Sequence, residues 1–257
     1  MTGRAIIVTA ATGIGAVFAR QAAEAGARLV ITSGDARTGW ELAEQTGAEV
    51  WVGDLSGLHS AESVLAQCLS RFGRVDGLFN AAGLSGRRFG DGPAHECTDE
   101  GWEMTLAQNL AITFRMCRAV SGRMMEQKPG EDGMRGAILN MGSVLVESPE
   151  PRQFATHAYA AAKGAIEALT RSMAAYYASH RIRVNALAPG FVRTHVSESA
   201  PLKSELHDFL SKKQALTGGM IDAEDIGRAA LFLLGGSAKS ITGQILTVDA
   251  GWSVTGV

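Results

Sequence analysis

The sequence predicts an α/β fold, a doubly wound parallel sheet with helices on both faces, in a single domain over residues 1–257. Three observations predict it. Short continuous apolar runs, typical of strands covered on both faces, alternate along the chain with segments of helical composition. A glycine-containing turn joins the first such run to the first such segment. The 257 residues, 46% of them hydrophobic, are enough to bury one large core.

In order, Ala5 to Thr9 is an apolar strand and AVFARQAAEAG a helix ending at Gly26. The turn between them runs Thr9, Ala10, Ala11, Thr12, Gly13, Ile14, Gly15. Such a turn aims backbone N–H groups and a helix N-terminus at a pyrophosphate, although it also occurs as an ordinary strand-to-helix connection. ARLVIT, EVWVGDL and VDGLFNAAG read as further strands, with helices TGWELAEQTG and HSAESVLAQCLSRFG between them. Strands alternating with helices make a parallel sheet, whose ligands sit at the strands' carboxyl ends. Asp54 and Asn80-Ala81-Ala82-Gly83 fall at two of those ends.

A long helix follows, capped by Thr98 and carrying Asn109 among apolar neighbours. Asn109 is either a satisfied core amide or a group that holds a water or orients a lysine. IRVNALAPG is the next strand. Residues 194–219 have little periodicity and read as a covering segment, and DAEDIGRAALFLLGG and GQILTVDAG supply a last helix and strand.

The chemistry concentrates between Asn140 and Lys163. Tyr159 and Lys163 stand four residues apart in an alanine-rich helix and so share one face. An ammonium beside a phenol favours the phenolate, which predicts a tyrosine able to act as acid or base near neutrality. Ser143, at the end of GAILNMGS, supplies a hydroxyl that can hold a substrate oxygen meanwhile. The trio suits a carbinol or a carbonyl, although a tyrosine–lysine pair alone is also common surface decoration.

Composition excludes other classes. A net charge of −2 without basic runs does not resemble a nucleic-acid binder. Cys68, Cys97 and Cys117 are an odd number without CxxC spacing, which predicts a reducing compartment and neither disulfides nor zinc. The six histidines form no metal-binding pair, so no metal is expected. No targeting segment precedes the first strand and no apolar run is long enough for a bilayer, so a cytoplasmic, non-membrane protein is expected.

Together, the ordered residues resemble the short-chain dehydrogenase/reductase family, of the classical type, from Ala5 to Gly251. The matching marks are Gly13-Ile14-Gly15, Asp54, Asn80 to Gly83, Asn109, Ser143, Tyr159 with Lys163, Asn185, Pro189-Gly190 with Thr194, Ile241 to Gln244, and Val248-Asp249. The resemblance implies a Rossmann-type fold and an NAD(P)-dependent enzyme interconverting a secondary alcohol and a ketone. It implies that Tyr159 moves the proton, Lys163 lowers its pKa and binds the nicotinamide ribose, Ser143 positions the substrate oxygen and Asn109 anchors a water relay. Pro189, Gly190, Val192 and Thr194 would line the nicotinamide, Asp54 and Leu55 the adenine, and Asn80, Ala81 and Gly83 the adenosine ribose. Thr9, Thr12, Gly13, Ile14 and Gly15 form the phosphate turn.

Three departures stand out: a glycine turn one residue shorter and without its first glycine, a longer Ser143–Tyr159 interval, and Ala250 where glycine is usual. The shortened turn motivates the alternative of a catalytically silent dinucleotide sensor or scaffold. After the second strand, Ser33 and Gly34 stand where the family puts an acid for NAD or a cation for NADP; Asp35 and Arg37 are the nearest candidates, with a slight lean to NAD. Arg87, Arg88, Arg152 and His157 could flank the pocket and suggest an anionic or hydroxyl-rich substrate, but Asp91, Glu147 and Glu150 sit among them, and loop charges are commonly just solvated. The family's habit and an apolar face at Met104, Leu110, Phe114 and Met116 predict a homo-oligomer, a tetramer or dimer.

Overall fold

A computed structural model describes residues 1–194 and 204–256. Its strands are β1 (Ala5–Val8), β2 (Arg28–Ser33), β3 (Glu49–Val52), β4 (Gly77–Asn80), β5 (Gly136–Met141), β6 (Ile182–Pro189), β7 (Val192–Arg193), β8 (Ile221–Asp222) and β9 (Ile245–Val248). Its helices are α1 (Gly13–Glu24), α2 (Ala36–Thr46), α3 (Ser60–Phe72), α4 (Asp99–Leu106), α5 (Ile112–Glu126), α6 (His157–Tyr177), α7 (Ser204–Lys213) and α8 (Ala223–Leu234). Residues 195–203, and with them part of the expected covering segment, lie outside the described residues.

Seven strands form one parallel sheet in the order β3-β2-β1-β4-β5-β6-β9, while β7 and β8 pair separately. The doubly wound reading therefore holds, and its cause is visible in the register. Side chains alternate between faces, so Ile6 and Val8 join one core with Leu29, Ile31, Phe79, Phe18 and Ile226. Ile7 joins the other with Val30, Leu78, Ile138, Val64 and Met124. Each strand has to be apolar on both sides, which produces the continuous runs. Burying each such side chain stabilises the fold by about 1.5–3 kcal/mol. From β1 the chain winds outward to β2 and β3, then crosses back to β4, leaving a crevice beyond the carboxyl ends of β1 and β4.

Some local expectations shift. β3 ends at Val52, so Asp54 lies in the turn beyond it. Thr98 caps α4, its Oγ1 accepting from the Gly101 N–H at 3.0 Å. The helix behind it is interrupted by a π-helical turn, Ala107–Ala111, before α5 continues. Met116 is buried in the core, whereas Phe114 points outward at 47% exposure, so the four apolar residues expected on one outer face divide between inside and outside. Among the described residues no helix is long and apolar enough to cross a membrane.

Candidate active site

The glycine turn sits at the mouth of the crevice. Thr9 is buried at the end of β1; its Oγ1 donates to the Phe79 carbonyl at 3.4 Å and accepts from the Ala82 N–H at 3.0 Å. That joins the ends of β1 and β4. Gly13 has φ +53°, which other residues adopt at a cost of about 1–2 kcal/mol. A Cβ on Gly15 would lie 2.5 Å from the Ala10 carbonyl oxygen, so only glycine lets α1 start so close to the preceding chain. The only non-glycine residues with positive φ among those described are Arg181 and Ala250. Ala10 therefore does not adopt the left-handed backbone that favours glycine, and the short turn is made without that strain.

Thr12 occupies the N-cap of α1 without a side-chain cap, and the first turn has no acidic residue. Its N–H groups face the crevice without an anionic side chain of their own, the arrangement that suits a phosphate. A Cβ on Gly13 would be 3.5 Å from Thr194 Cγ2, so the chain after β6 meets the turn. Glycine backbone without side chains, an uncapped helix start and a buried lysine nearby fit a dinucleotide.

The β2 end is committed locally. The Ser33 hydroxyl donates to the Asp35 carbonyl at 2.6 Å. The Asp35 carboxylate accepts from the Thr38 hydroxyl at 2.6 Å and the Thr38 N–H at 2.8 Å, which hold it below its ordinary pKa. Asp54 is likewise held down by the Ser56 hydroxyl at 2.6 Å and N–H at 2.8 Å, and Leu55 packs on the core.

Asn80, at the end of β4, is buried and donates to Asn140 Oδ1 at 2.9 Å; Asn140 in turn donates to Thr170 Oγ1 on α6 at 2.9 Å. Ala81 packs against the core beside it. A Cβ on Gly83 would come 2.6 Å from Asn109 Oδ1 and 3.4 Å from Lys163 Nζ. Asn109 sits in the π-helical turn, fully buried. Its Nδ2 donates to the carbonyls of Leu84 at 3.0 Å and Thr105 at 2.9 Å, and its Oδ1 accepts from the Leu84 N–H at 3.2 Å. Asn109 thus grips the strand-end loop, and π turns recur at such functional positions.

Ser143, Tyr159 and Lys163 come together as the spacing predicts. Ser143 and Tyr159 line the same cavity, and Ser143 Oγ accepts from the Leu145 N–H at 3.3 Å. Lys163 is buried; its Nζ donates to the Met141 carbonyl at 2.9 Å and lies 5.4 Å from the centroid of the Tyr159 ring. The titration differs from the sequence expectation. Burial pushes the phenol above its ordinary value, opposed by the nearby Ser143 hydroxyl. The ammonium sits over the ring and is itself pushed down to about 8 by burial. Withdrawal from water, invisible in residue spacing, outweighs the pairing in this state.

The loop after β6 completes the far side. Pro189 ends β6, the Gly190 N–H donates to the Val248 carbonyl at 3.1 Å, and Val192 lies in β7. Beside the catalytic pair lies a cavity of about 300 Å³, lined by Ser143, Tyr159, Val144, Leu145, Phe154, Phe191 and Trp252, with Ser85, Arg87, Thr156 and Gly190.

Of the expected substrate cations, Arg87 reaches this cavity, where it donates to the Gln153 carbonyl. Arg88 instead stacks on Phe89, 4.6 Å from the ring centroid, and His157 Nδ1 accepts from the Ala94 N–H at 2.9 Å. Sequence reasoning took Asp91 for a loop charge and missed its role: its two oxygens each accept at 3.0 Å, one from the Ala158 N–H and one from the Tyr159 N–H. It also missed the aromatic wall, whose rings stand singly in the sequence: Phe154 in the longer Ser143–Tyr159 interval, Phe191 after Gly190 and Trp252 after Asp249. Among the described residues no cluster of histidine, cysteine or acidic side chains could hold a metal ion.

A parallel sheet with a glycine turn at its switch point and a serine–tyrosine–lysine cluster beside it defines a nucleotide-dependent oxidoreductase of the Rossmann class. A family model described as "Enoyl-(Acyl carrier protein) reductase" matches residues 8–253. The galactitol 2-dehydrogenase (L-tagatose-forming) of Cereibacter sphaeroides is 34% identical over 97% of this chain and 94% of its own length. The D-threitol dehydrogenase of Mycolicibacterium smegmatis is 32% identical over 99% and 94%. The crystal structure of gox2181 superposes with a TM-score of 0.89 at 30% identity, covering 99% of this chain and 97% of that one. The chain belongs to the short-chain dehydrogenase/reductase family.

Proposed function

We propose that this protein interconverts a secondary alcohol and a ketone with NAD or NADP, with Tyr159 transferring the proton. The observation that carries this reading is that Ser143 and Tyr159 line one cavity with the buried Lys163 ammonium 5.4 Å from the Tyr159 ring centroid. When bound, the nicotinamide supplies the acceptor or donor of hydride. The chain's residues do the rest. Ser143 holds the substrate oxygen, and Tyr159, protonated at neutral pH, is placed to donate to a carbonyl. Lys163 offers its remaining N–H directions to a ribose, and Asn109 fixes the loop that carries Gly83 against it.

Gly13, Ile14 and Gly15, flanked by Thr9 and Thr12, bind the pyrophosphate in this reading. Asp54 and Leu55 meet the adenine, Asn80, Ala81 and Gly83 the adenosine ribose, and Pro189, Gly190, Val192 and Thr194 the nicotinamide. Replacing Tyr159 with Phe removes the transferable proton and keeps the shape, so turnover should drop by a factor of about 10²–10⁴ with cofactor affinity retained. Turnover within tenfold of wild type would overturn the assignment.

The lean to NAD rests on the absence of a dedicated phosphate cation at the β2 end. Arg37 is highly exposed and lies 3.9 Å from Glu41, while Ser33 and Asp35 present oxygens that suit a free ribose. Comparing kcat/KM with the two cofactors decides it. Free cysteines support a reducing, cytoplasmic setting. One domain with a covering segment at 194–219 and a homo-oligomeric assembly complete the reading. The assembly is supported by exposed Trp102 and Phe114 on the α4–α5 run and by exposed Phe232 and Leu246 near the sheet's β9 edge.

A further inference from the structure

Resting on the dehydrogenase reading, we propose that the natural substrate carries an aromatic or similarly flat apolar ring within one carbon of its reacting carbon, received by a wall of Phe154, Phe191 and Trp252. The substrate class thereby differs from the polyols named for the relatives above.

The wall is a continuous set of rings. Phe154 stands 5.5 Å from Phe191 and 5.6 Å from Trp252, centroid to centroid, and Phe209 backs them at 6.4 Å from Phe154 and 5.3 Å from Trp252. These separations lie within the range of about 4.5–7 Å at which tilted aromatic pairs attract one another. Val144 and Leu145 extend the apolar surface toward Ser143. A ring placed here would meet rings and aliphatic groups on several sides while its neighbouring oxygen reached Ser143 and Tyr159.

Each element of the wall is fixed by a buried polar device. The Glu150 carboxylate, 8% exposed, accepts from the N–H groups of Arg152, Gln153 and Phe154 and so folds the loop that presents Phe154. The fully buried Gln214 side chain accepts from the Phe191 N–H at 2.5 Å and donates to the Phe191 carbonyl at 3.1 Å. Trp252 donates its indole N–H to the Ser148 carbonyl at 3.1 Å. A surface organised in advance of binding loses less freedom when a ligand arrives.

The same hydrogen bonds remove polar partners from the cavity. The Trp252 N–H is spent on Ser148, and the Thr156 hydroxyl donates to the Phe154 carbonyl at 3.3 Å. Arg87 closes across to Gln153. The hydroxyls of a polyol would be stripped of water against this wall without replacement hydrogen bonds, a cost that an apolar ring avoids. The volume of about 300 Å³ stands at the small end for ligand sites and suits one or two rings.

The test compares three ketones on the intact protein with both cofactors: phenylacetone, butanone and the ketose erythrulose. Phenylacetone should exceed both others in kcat/KM by tenfold or more, and Phe154→Ala should narrow the phenylacetone-to-butanone ratio at least fivefold. Phe154→Leu, which keeps bulk and removes only the flat face, serves the same comparison should the alanine variant fold poorly. Erythrulose turned over as well as phenylacetone, or a ratio unmoved in a folded variant, would overturn the proposal. If no ketone is reduced, the dehydrogenase reading fails by itself, and calorimetric titration with phenylacetone then tests the wall alone. Binding weakened at least fivefold by the Phe154 variants supports it, and absent or unaltered binding overturns it.

Discussion

Lys163 shows how a single side chain can be good for function and bad for stability. Its pKa falls from an ordinary 10.5 to about 8 because burial penalises the charged form. The unfolded chain therefore binds one more proton than the folded chain between about pH 8 and 10.5, so this group's contribution to stability improves as pH rises through that window. Below it the full penalty stands, roughly 3 kcal/mol at 1.36 kcal/mol per pKa unit. Lys163→Met forfeits one hydrogen bond and removes the penalty, so the cofactor-free protein should gain about 1–3 kcal/mol at pH 7. Denaturation at a series of pH values checks this: the gain should shrink toward pH 10, and a destabilised variant at neutrality would contradict it. Ala250 poses the opposite case. Its φ of +51° is one that glycine adopts freely, so Ala250→Gly should stabilise by about 0.5–1 kcal/mol, read as a higher denaturation midpoint. The pairing of Tyr159 with Lys163 was legible because helical spacing fixes which side chains share a face. Their protonation was not, because desolvation depends on everything packed around them.

At the scale of elements, α6 delivers Tyr159, and what anchors its first turn comes from far away in the chain. Thr156 at its N-cap makes no side-chain cap, and Asp91 takes that role through the N–H groups of Ala158 and Tyr159. The Gly92 carbonyl adds a bond from the His157 N–H at 3.1 Å. Asp91→Ala should cost about 1–2 kcal/mol of stability and lower kcat more than it raises KM, because Tyr159 loses its fixed position. Asp91→Asn, which can still accept hydrogen bonds, should recover much of both. Thermal melts and steady-state kinetics separate the two effects, and unchanged kcat in the alanine variant would show that the cap serves stability alone. Helix positions were legible from composition and end signals such as Thr98. The Asp91 cap was not, since local patterns carry no trace of a partner 67 residues away. The π turn at Asn109 was hidden for a related reason: a helix continues on either side of it, and only the packing of its amide against Leu84 shows the extra width.

For the whole molecule, alternating strands and helices were enough to foretell a parallel sheet, and the apolar runs to show that both faces are covered. The cavity was less legible, because Phe154, Phe191 and Trp252 lie on separate segments that meet only in the folded chain. Assembly belongs to this scale as well. With Trp102 and Phe114 exposed on one side and Phe232 and Leu246 on another, light scattering should give at least twice the 27.0 kDa of one chain at micromolar concentration. A monomer mass there would reject the homo-oligomer. The sheet order has one more consequence, for how the protein is made. No two neighbouring strands form a hairpin: the nearest pairing in sequence, Val30 with Glu49, waits for a whole helix, and Ile6 with Gly77 waits for much more. Loops of that length close before their contacts repay the lost entropy, so refolding cannot zip up locally. A nascent chain must hold β1 through the synthesis of three more strands' worth of sequence with its β4 side unpaired, which makes the first half of the molecule the part most in need of shelter from aggregation.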